Sequence, residues 1–192
     1  MNSIAIEIAI ENDWVNGKFE ETDIDYKIAG KNILWKDEIE YLPKGVELLC
    51  KKLKPQSVLE FGFGLGWTAT EFQKHNIERH IIIEPNKDIY QMALEWKKQY
   101  NTDIEIFNIF SWDFETNEKF DLVYDDRQQF GSDCDDKHYK QMNKILQEGQ
   151  WYSRNACIVT KTHVEATTGN QIYYTLNNNR YIQGFRRWQH IL

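Results

Sequence analysis

The sequence predicts a doubly wound α/β domain. Its sheet is mostly parallel with helices on both faces, and it carries a C-terminal antiparallel hairpin and a small N-terminal β element. Three observations predict this. The apolar run Val58, Leu59 and Phe61 enters a turn with Gly62, Gly64 and Gly66, and a helical segment follows. A second run, Ile81 to Ile83, ends in Glu84 and again precedes a helical segment. Further apolar runs at 104–107, 120–124 and 156–160 continue the alternation. Strands buried on both faces read as continuous apolar runs. Strand–helix alternation implies a parallel sheet with ligands at the strand C-terminal ends.

The chain has 192 residues, 41% hydrophobic and 14% aromatic. That is enough for one domain with a sizeable core, with residues 1–35 as an N-terminal extension or cap and 36–192 as the core. No run of about 20 apolar residues predicts a membrane span. The start, Met1 to Glu7, has no basic segment and carries an acid in its apolar stretch, which argues against a signal peptide. Cys50, Cys134 and Cys157 lie far apart without metal-type spacing, so they read as reduced thiols of a cytoplasmic protein, with no metal site. The net charge of −7 argues against a general nucleic-acid binder. Residues 151–192 hold five Lys/Arg against one acid, Glu165; that +4 leaves −11 for residues 1–150. An acidic body suits a cationic substrate and is also an ordinary route to solubility.

In order along the chain, Ile4, Ile6, Ile8 and Ile10 alternate with Ala5, Glu7 and Ala9, the period of a half-buried strand. Asn16-Gly17 reads as a hairpin turn between Trp14-Val15 and Lys18-Phe19. Leu42, Val46, Leu49, Cys50 and Leu53 stripe a helix that is firm over 44–53 and stops at Lys54-Pro55. Helices follow at 67–74, at 87–99 with Ile89, Met92, Ala93 and Trp96 on the core face, and at 135–147, closed by Gly149. The last strand of the parallel set is 156–160, followed by Lys161-Thr162-His163. Ile172–Thr175 and Tyr181–Trp188 form the terminal hairpin around Asn177-Asn178-Asn179.

The glycine spacing separates two cofactor classes. Dinucleotide sites use G-x-G-x-x-G with the pyrophosphate at a helix start. Here Trp67 stands where the third glycine of that pattern belongs, and the chain reads Glu60-x-Gly62-x-Gly64-x-Gly66. Glu60, at the strand end, can accept from a cationic or amine-bearing ligand. Glu84 lies 18 residues after Gly66, close to the spacing of an acid that holds a ribose diol. One carboxylate can accept from both hydroxyls. The same acid would also suit a helix N-terminus. The motif resembles the first motif of class I S-adenosylmethionine (SAM) methyltransferases, whose Rossmann-like fold binds SAM and releases S-adenosylhomocysteine (SAH).

From about Glu38 to Leu146 the chain resembles guanidinoacetate N-methyltransferase and its relatives. The resemblance rests on Val58 to Gly64, including Phe63 between the glycines, and on His80 to Glu84, Trp112-Asp113 and Phe120 to Asp125. It implies SAM bound by Gly62, Phe63, Gly64 and Glu84, with Trp112 and Asp113 beside the adenine. It implies Asp125 as the carboxylate that grips the substrate nitrogen, and Glu38 as a second substrate carboxylate. Trp112 would serve equally well as a core aromatic, and Asp125-Asp126 as a solvated turn. The family has Thr-Tyr-Pro after this Asp, whereas Asp126-Arg127-Gln128 follows here, so its substrate pocket does not carry over.

The function expected is SAM-dependent methyl transfer to a nitrogen of a small amine or guanidino compound, without nucleic-acid or membrane partners. The acceptor and the oligomeric state are not specified by the sequence. A metal-assisted O-methyltransferase is the alternative, with Asp125, Asp126, Asp133, Asp135 and Asp136 around Mg²⁺. A SAM-binding module without catalysis is the third reading.

Overall fold

The computed structural model describes residues 3–40, 42–128, 132–145, 151–154, 157–159, 172–176 and 179–183. For 3–8, 10, 132–135, 154 and everything after it, the backbone alone is described. No described helix is long and apolar enough to cross a membrane.

The chain begins with helix α1 (Ser3–Asn16) and a three-stranded antiparallel sheet, β1 (Phe19–Glu21), β2 (Asp25–Ile28) and β3 (Lys31–Trp35). This corrects two expectations. Residues 4–10 are helical, not a strand. The residues between the isoleucines are Ala and Glu, both strong helix formers, and no Gly or Pro interrupts them before Gly17. Asn16-Gly17 ends that helix. The hairpin turn is at Ala29-Gly30, where φ is +48° and +72°, the left-handed pair that a tight primed turn requires. The small β element exists, built from residues 19–35.

The core follows as α2 (Leu42–Leu53), β4 (Ser57–Phe61), α3 (Trp67–Gln73), β5 (Arg79–Ile83), α4 (Lys87–Lys97), β6 (Asp103–Phe107), β7 (Leu122–Asp125), α5 (Ser132–Ile145), β8 (Trp151–Arg154) and β9 (Cys157–Val159). The sheet order is β6-β5-β4-β7-β8-β9, with β9 alone antiparallel to its neighbour. The fifth parallel strand is therefore 151–154, not 156–160, and the chain turns back as β9. Polar Ser153 and Arg154 hide the first of these strands, while the more apolar run after it is the returning one. The terminal hairpin pairs β10 (Ile172–Leu176) with β11 (Asn179–Gln183) as a separate two-stranded sheet. Gly149, residues 161–163, the turn at 177–178 and residues 184–188 lie outside the described residues.

Side-chain alternation explains the continuous apolar runs. Leu59, Phe61, Ile81, Ile83 and Val123 face α5, packing with Met142 and Ile145. Ile82 and Ile104 face α4, packing with Ile89, Ala93 and Trp96. Val58, Leu122 and Tyr124 pack against Val46, Leu49 and Phe72 of α2 and α3. Each fully buried side chain of this size contributes about 1.5–3 kcal/mol. Met92, expected in the core, is 38% exposed; the stripe of α4 is narrower than its sequence suggests. Cys50 is a buried free thiol, pushed up to about 12 by burial.

β4 lies centrally, and the chain passes from it to β5 on one side and, later, β7 on the other. Ligands of such sheets bind at this reversal. Backbone bonds lace the strand ends together there. Gly62 N–H donates to Ile83 O at 2.9 Å, Asp126 N–H to Phe61 O at 2.9 Å and Glu84 N–H to Phe107 O at 3.0 Å.

Candidate functional site

Two adjoining clefts open over these strand ends. They share Trp14, Gly62, Glu84 and Gln128. Gly62 and Gly64 line the floor with φ of +89° and +55°. A Cβ at Gly62 would lie 2.9 Å from the Asp126 carbonyl oxygen, and one at Gly64 3.0 Å from Leu34 Cδ1. Bare backbone is therefore required on both counts. Gly66, φ +72°, is buried beneath the turn, where a Cβ would meet the Phe63 ring at 2.5 Å. Its role there is packing, and its N–H closes the turn onto Phe63 O at 2.8 Å.

Glu84 sits where the clefts meet and is 5% exposed. Its Oε2 accepts from Phe63 N–H at 3.1 Å, and its Oε1 from Asn86 N–H at 2.8 Å. Burial pushes its carboxyl up to about 7, against the pull of the Asn86, Phe63 and Gly64 N–H groups. A carboxylate has about four acceptor sites, more than its backbone partners use, so it can still accept a hydroxyl from the cleft. A ribose-bearing cofactor therefore fits the residues present.

Phe63 and Trp67 both line the larger cleft. The Phe63 ring packs edge-on to Trp96 at 5.3 Å, and Trp67 edge-on to Tyr26 at 6.0 Å. Trp112 lines the smaller cleft, half-buried and stacked on Phe110 at 4.4 Å. Asp113, next to it, is exposed. Its carboxyl is pushed up by desolvation and then by Glu11, with Lys137 opposing.

Glu60 lies in the interior, behind Thr68, which lines the larger cleft. Strand alternation turns it toward α3, where Thr68 Oγ1 donates to it at 2.6 Å and His80 Nε2 lies 2.9 Å away. Glu38 is buried in a 3-10 turn after β3, and Trp35 N–H donates to it at 2.9 Å. It does not line either cleft.

Asp125 ends β7 beneath the cleft wall and is 1% exposed. Tyr152 O–H donates to its Oδ2 at 2.7 Å, and His138 Nε2 lies 3.2 Å from the same oxygen. Arg127 approaches the other oxygen, with Nε 3.5 Å from Oδ1. The wall above it is made by Asp126, Arg127 and Gln128. Ser111, on the wall of the smaller cleft, lies 2.8 Å from His138 Nδ1. The structure thus gathers Gly62, Phe63, Gly64, Glu84 and Trp112 around the clefts, places Asp125 one layer behind, and keeps Glu60 and Glu38 apart. Among the described residues no three His, Cys, Asp or Glu side chains group as metal ligands; the side chains of Asp133 and Asp135 are outside that set.

Sequence reading missed Asn86, Ser111, His138 and Tyr152. Asn86 had a local signal, since Asn before a helix is a preferred N-cap; it accepts from Ile89 N–H at 3.0 Å. The others had none.

A sequence model of the family described as guanidinoacetate N-methyltransferase matches residues 9–168. Among solved structures, the chain is similar to the N-methyltransferase NodS from Bradyrhizobium japonicum WM9, at 18% identity and TM-score 0.51, covering 61% of this chain and 66% of that one. The same protein in complex with S-adenosyl-L-homocysteine gives 16% and 0.51, covering 77% and 70%. The PH0226 protein from Pyrococcus horikoshii OT3 gives 18% and 0.52, covering 64% and 59%. At these identities the likeness is one of fold. The chain spans 59–70% of the length of these structures.

Proposed function

Because the chain belongs to the guanidinoacetate N-methyltransferase family, we propose that it methylates a nitrogen of a small amine or guanidino compound, with SAM as donor and SAH as product. The observation that carries this reading is Glu84, a buried carboxylate held by the amide of the glycine turn where the two clefts join. Bound there, SAM supplies a methyl group on a cationic sulfur, open to in-line displacement. The chain's own part is to align a nitrogen lone pair and manage one proton.

In this reading Gly62, Phe63 and Gly64 cradle the cofactor in the larger cleft and Glu84, where the clefts join, takes the ribose diol, which leaves the smaller cleft, walled by Ser111 and Trp112, to the acceptor. Residues 1–35 act as a cap, since Trp14, Ile28, Ile33 and Leu34 all line the larger cleft. Asp125 acts from behind the wall, through the groups it touches. Glu38 acts as an anchor, its bond to Trp35 N–H fixing the strand that brings Leu34 over Gly64.

The test is transfer of labelled methyl from SAM to a panel of small amines and guanidino compounds, with Asp125→Asn beside the parent protein. Methylation of a nitrogen acceptor is expected. Asp125→Asn should lower kcat by about 100-fold or more while SAH affinity holds. A variant that turns over like its parent contradicts the role of Asp125. Methylation only of oxygen acceptors, and only with Mg²⁺, contradicts the reading itself.

A further inference from the structure

We propose that Ser111, His138 and Asp125 form a proton relay that leads the substrate nitrogen's proton out of the smaller cleft. The proposal rests on the N-methyl transfer reading above and adds to it the path of the proton.

The three side chains come from separate elements: the 3-10 turn Ser111–Asp113, α5 and the end of β7. All are buried, Ser111 at 5%, His138 at 0% and Asp125 at 1% exposure, and Ser111 lines the smaller cleft. His138 lies between the other two, with Nδ1 hydrogen-bonded to Ser111 Oγ at 2.8 Å and Nε2 at an ion-pair distance of 3.2 Å from Asp125 Oδ2. A nitrogen lone pair facing a carboxylate would be repelled, so Nε2 carries hydrogen. In neutral His138 the Ser111 hydroxyl then donates to Nδ1. In the imidazolium, Nδ1–H donates to the same hydroxyl oxygen. A serine hydroxyl rotates to serve both states, so the ring can take up a proton with no backbone movement.

Asp125 is the group that makes this favourable, since an adjacent carboxylate stabilises the imidazolium. Among the described residues, the other groups facing the ring are the Phe61 and Tyr139 rings, at 5.4 and 5.3 Å. Tyr152 and Arg127 both touch Asp125. Arg127 tempers the carboxylate's charge, which favours a proton held reversibly.

The step balances as follows. A substrate ammonium or guanidinium gives one proton to Ser111 Oγ as the hydroxyl's own hydrogen passes to His138 Nδ1. The freed nitrogen pair forms the new N–C bond as the S–C bond of the sulfonium donor breaks, leaving its pair on sulfur. The methylated product departs as a cation. The imidazolium then returns its proton through Ser111 to water in the cleft.

The test pairs spectroscopy with kinetics on the full chain. Nitrogen-15 NMR of histidine-labelled protein, with SAH present, follows His138 from pH 5 to 9, its resonance assigned by its loss in His138→Gln. Because His138 is a core residue, Ser111→Ala, which removes one hydroxyl, is the decisive variant. The relay predicts that His138 titrates with hydrogen on Nε2 in its neutral form. It also predicts that Ser111→Ala shifts that midpoint, lowers kcat at least tenfold and moves the pH–rate profile, with SAH binding retained. A His138 that keeps one protonation state over this range overturns the relay whatever the protein methylates. So does a Ser111→Ala variant with the parental pH–rate profile. A normal titration with no nitrogen acceptor methylated overturns the N-methyl transfer reading instead, and the relay's role with it.

Discussion

Glu84 ties the chemistry of the site to pH. Its carboxyl stands at about 7 because it is buried, well above an ordinary glutamate. Its folded-state value is raised, so its contribution to stability is full below the unfolded value and is lost as pH rises through about 7. At 1.36 kcal/mol per unit the loss is about 3 kcal/mol. A ligand diol donates to the carboxylate form and so favours the deprotonated side. SAH affinity should therefore rise with pH up to about 7, approaching tenfold per unit below it, and level off above. Calorimetry from pH 5.5 to 8.5 in two buffers should also show proton release on binding below that point. A flat profile, or tighter binding at low pH, contradicts the placement of the diol on Glu84. The places of Glu84 and the glycine turn were legible because both lie at strand ends marked by short apolar runs at fixed spacing along the chain. Ser111, His138 and Tyr152 were not, because each meets its partner across 27 residues of sequence and no local pattern marks a lone polar residue. Glu60 shows a different limit of local patterns. The motif locates it correctly at the strand end, but period-two alternation turns it into the interior, toward His80.

At the scale of elements, Asn86 joins the N-terminal segment to the core. Its side chain caps α4 at Ile89 N–H and donates to the Trp14 and Gly17 carbonyls at 2.7 and 2.8 Å. Asn86→Ala removes a cap and leaves two carbonyls at the end of α1 without that donor. A loss of about 2–3 kcal/mol in urea unfolding is expected, with faster amide exchange at residues 11–17. A variant as stable and as protected as its parent would show that α1 docks by other means. The same helix marks where sequence reading failed. An alternating Ile pattern satisfies a strand template, yet a strand must find a pairing partner, while a helix closes its own hydrogen bonds. With Ala and Glu between the isoleucines, the helix prevails. The β4–α3–β5–α4 unit was legible almost to the residue, because buried parallel strands and glycine turns carry strong local signals. The strand at 151–154 was not, because polar residues break its run.

For the whole molecule, the sheet order β6-β5-β4-β7-β8 puts the glycine turn, Glu84 and the Asp126–Gln128 wall at one end of the sheet. The N-terminal segment folds over that end through Trp14, Ile28, Ile33 and Leu34. That the strand ends gather at one end followed from strand–helix alternation; that residues 1–35 lie over them did not. The composition of the wall did not, since Asp126, Arg127 and Gln128 follow no pattern that sequence spacing can read. The central claim is that this end of the sheet is a SAM site, and titration of the full-length protein with SAM, SAH and NAD in a calorimeter tests it most directly. Micromolar binding of SAM and SAH with no heat from NAD is the predicted result; binding of NAD, or of none of the three, would contradict it.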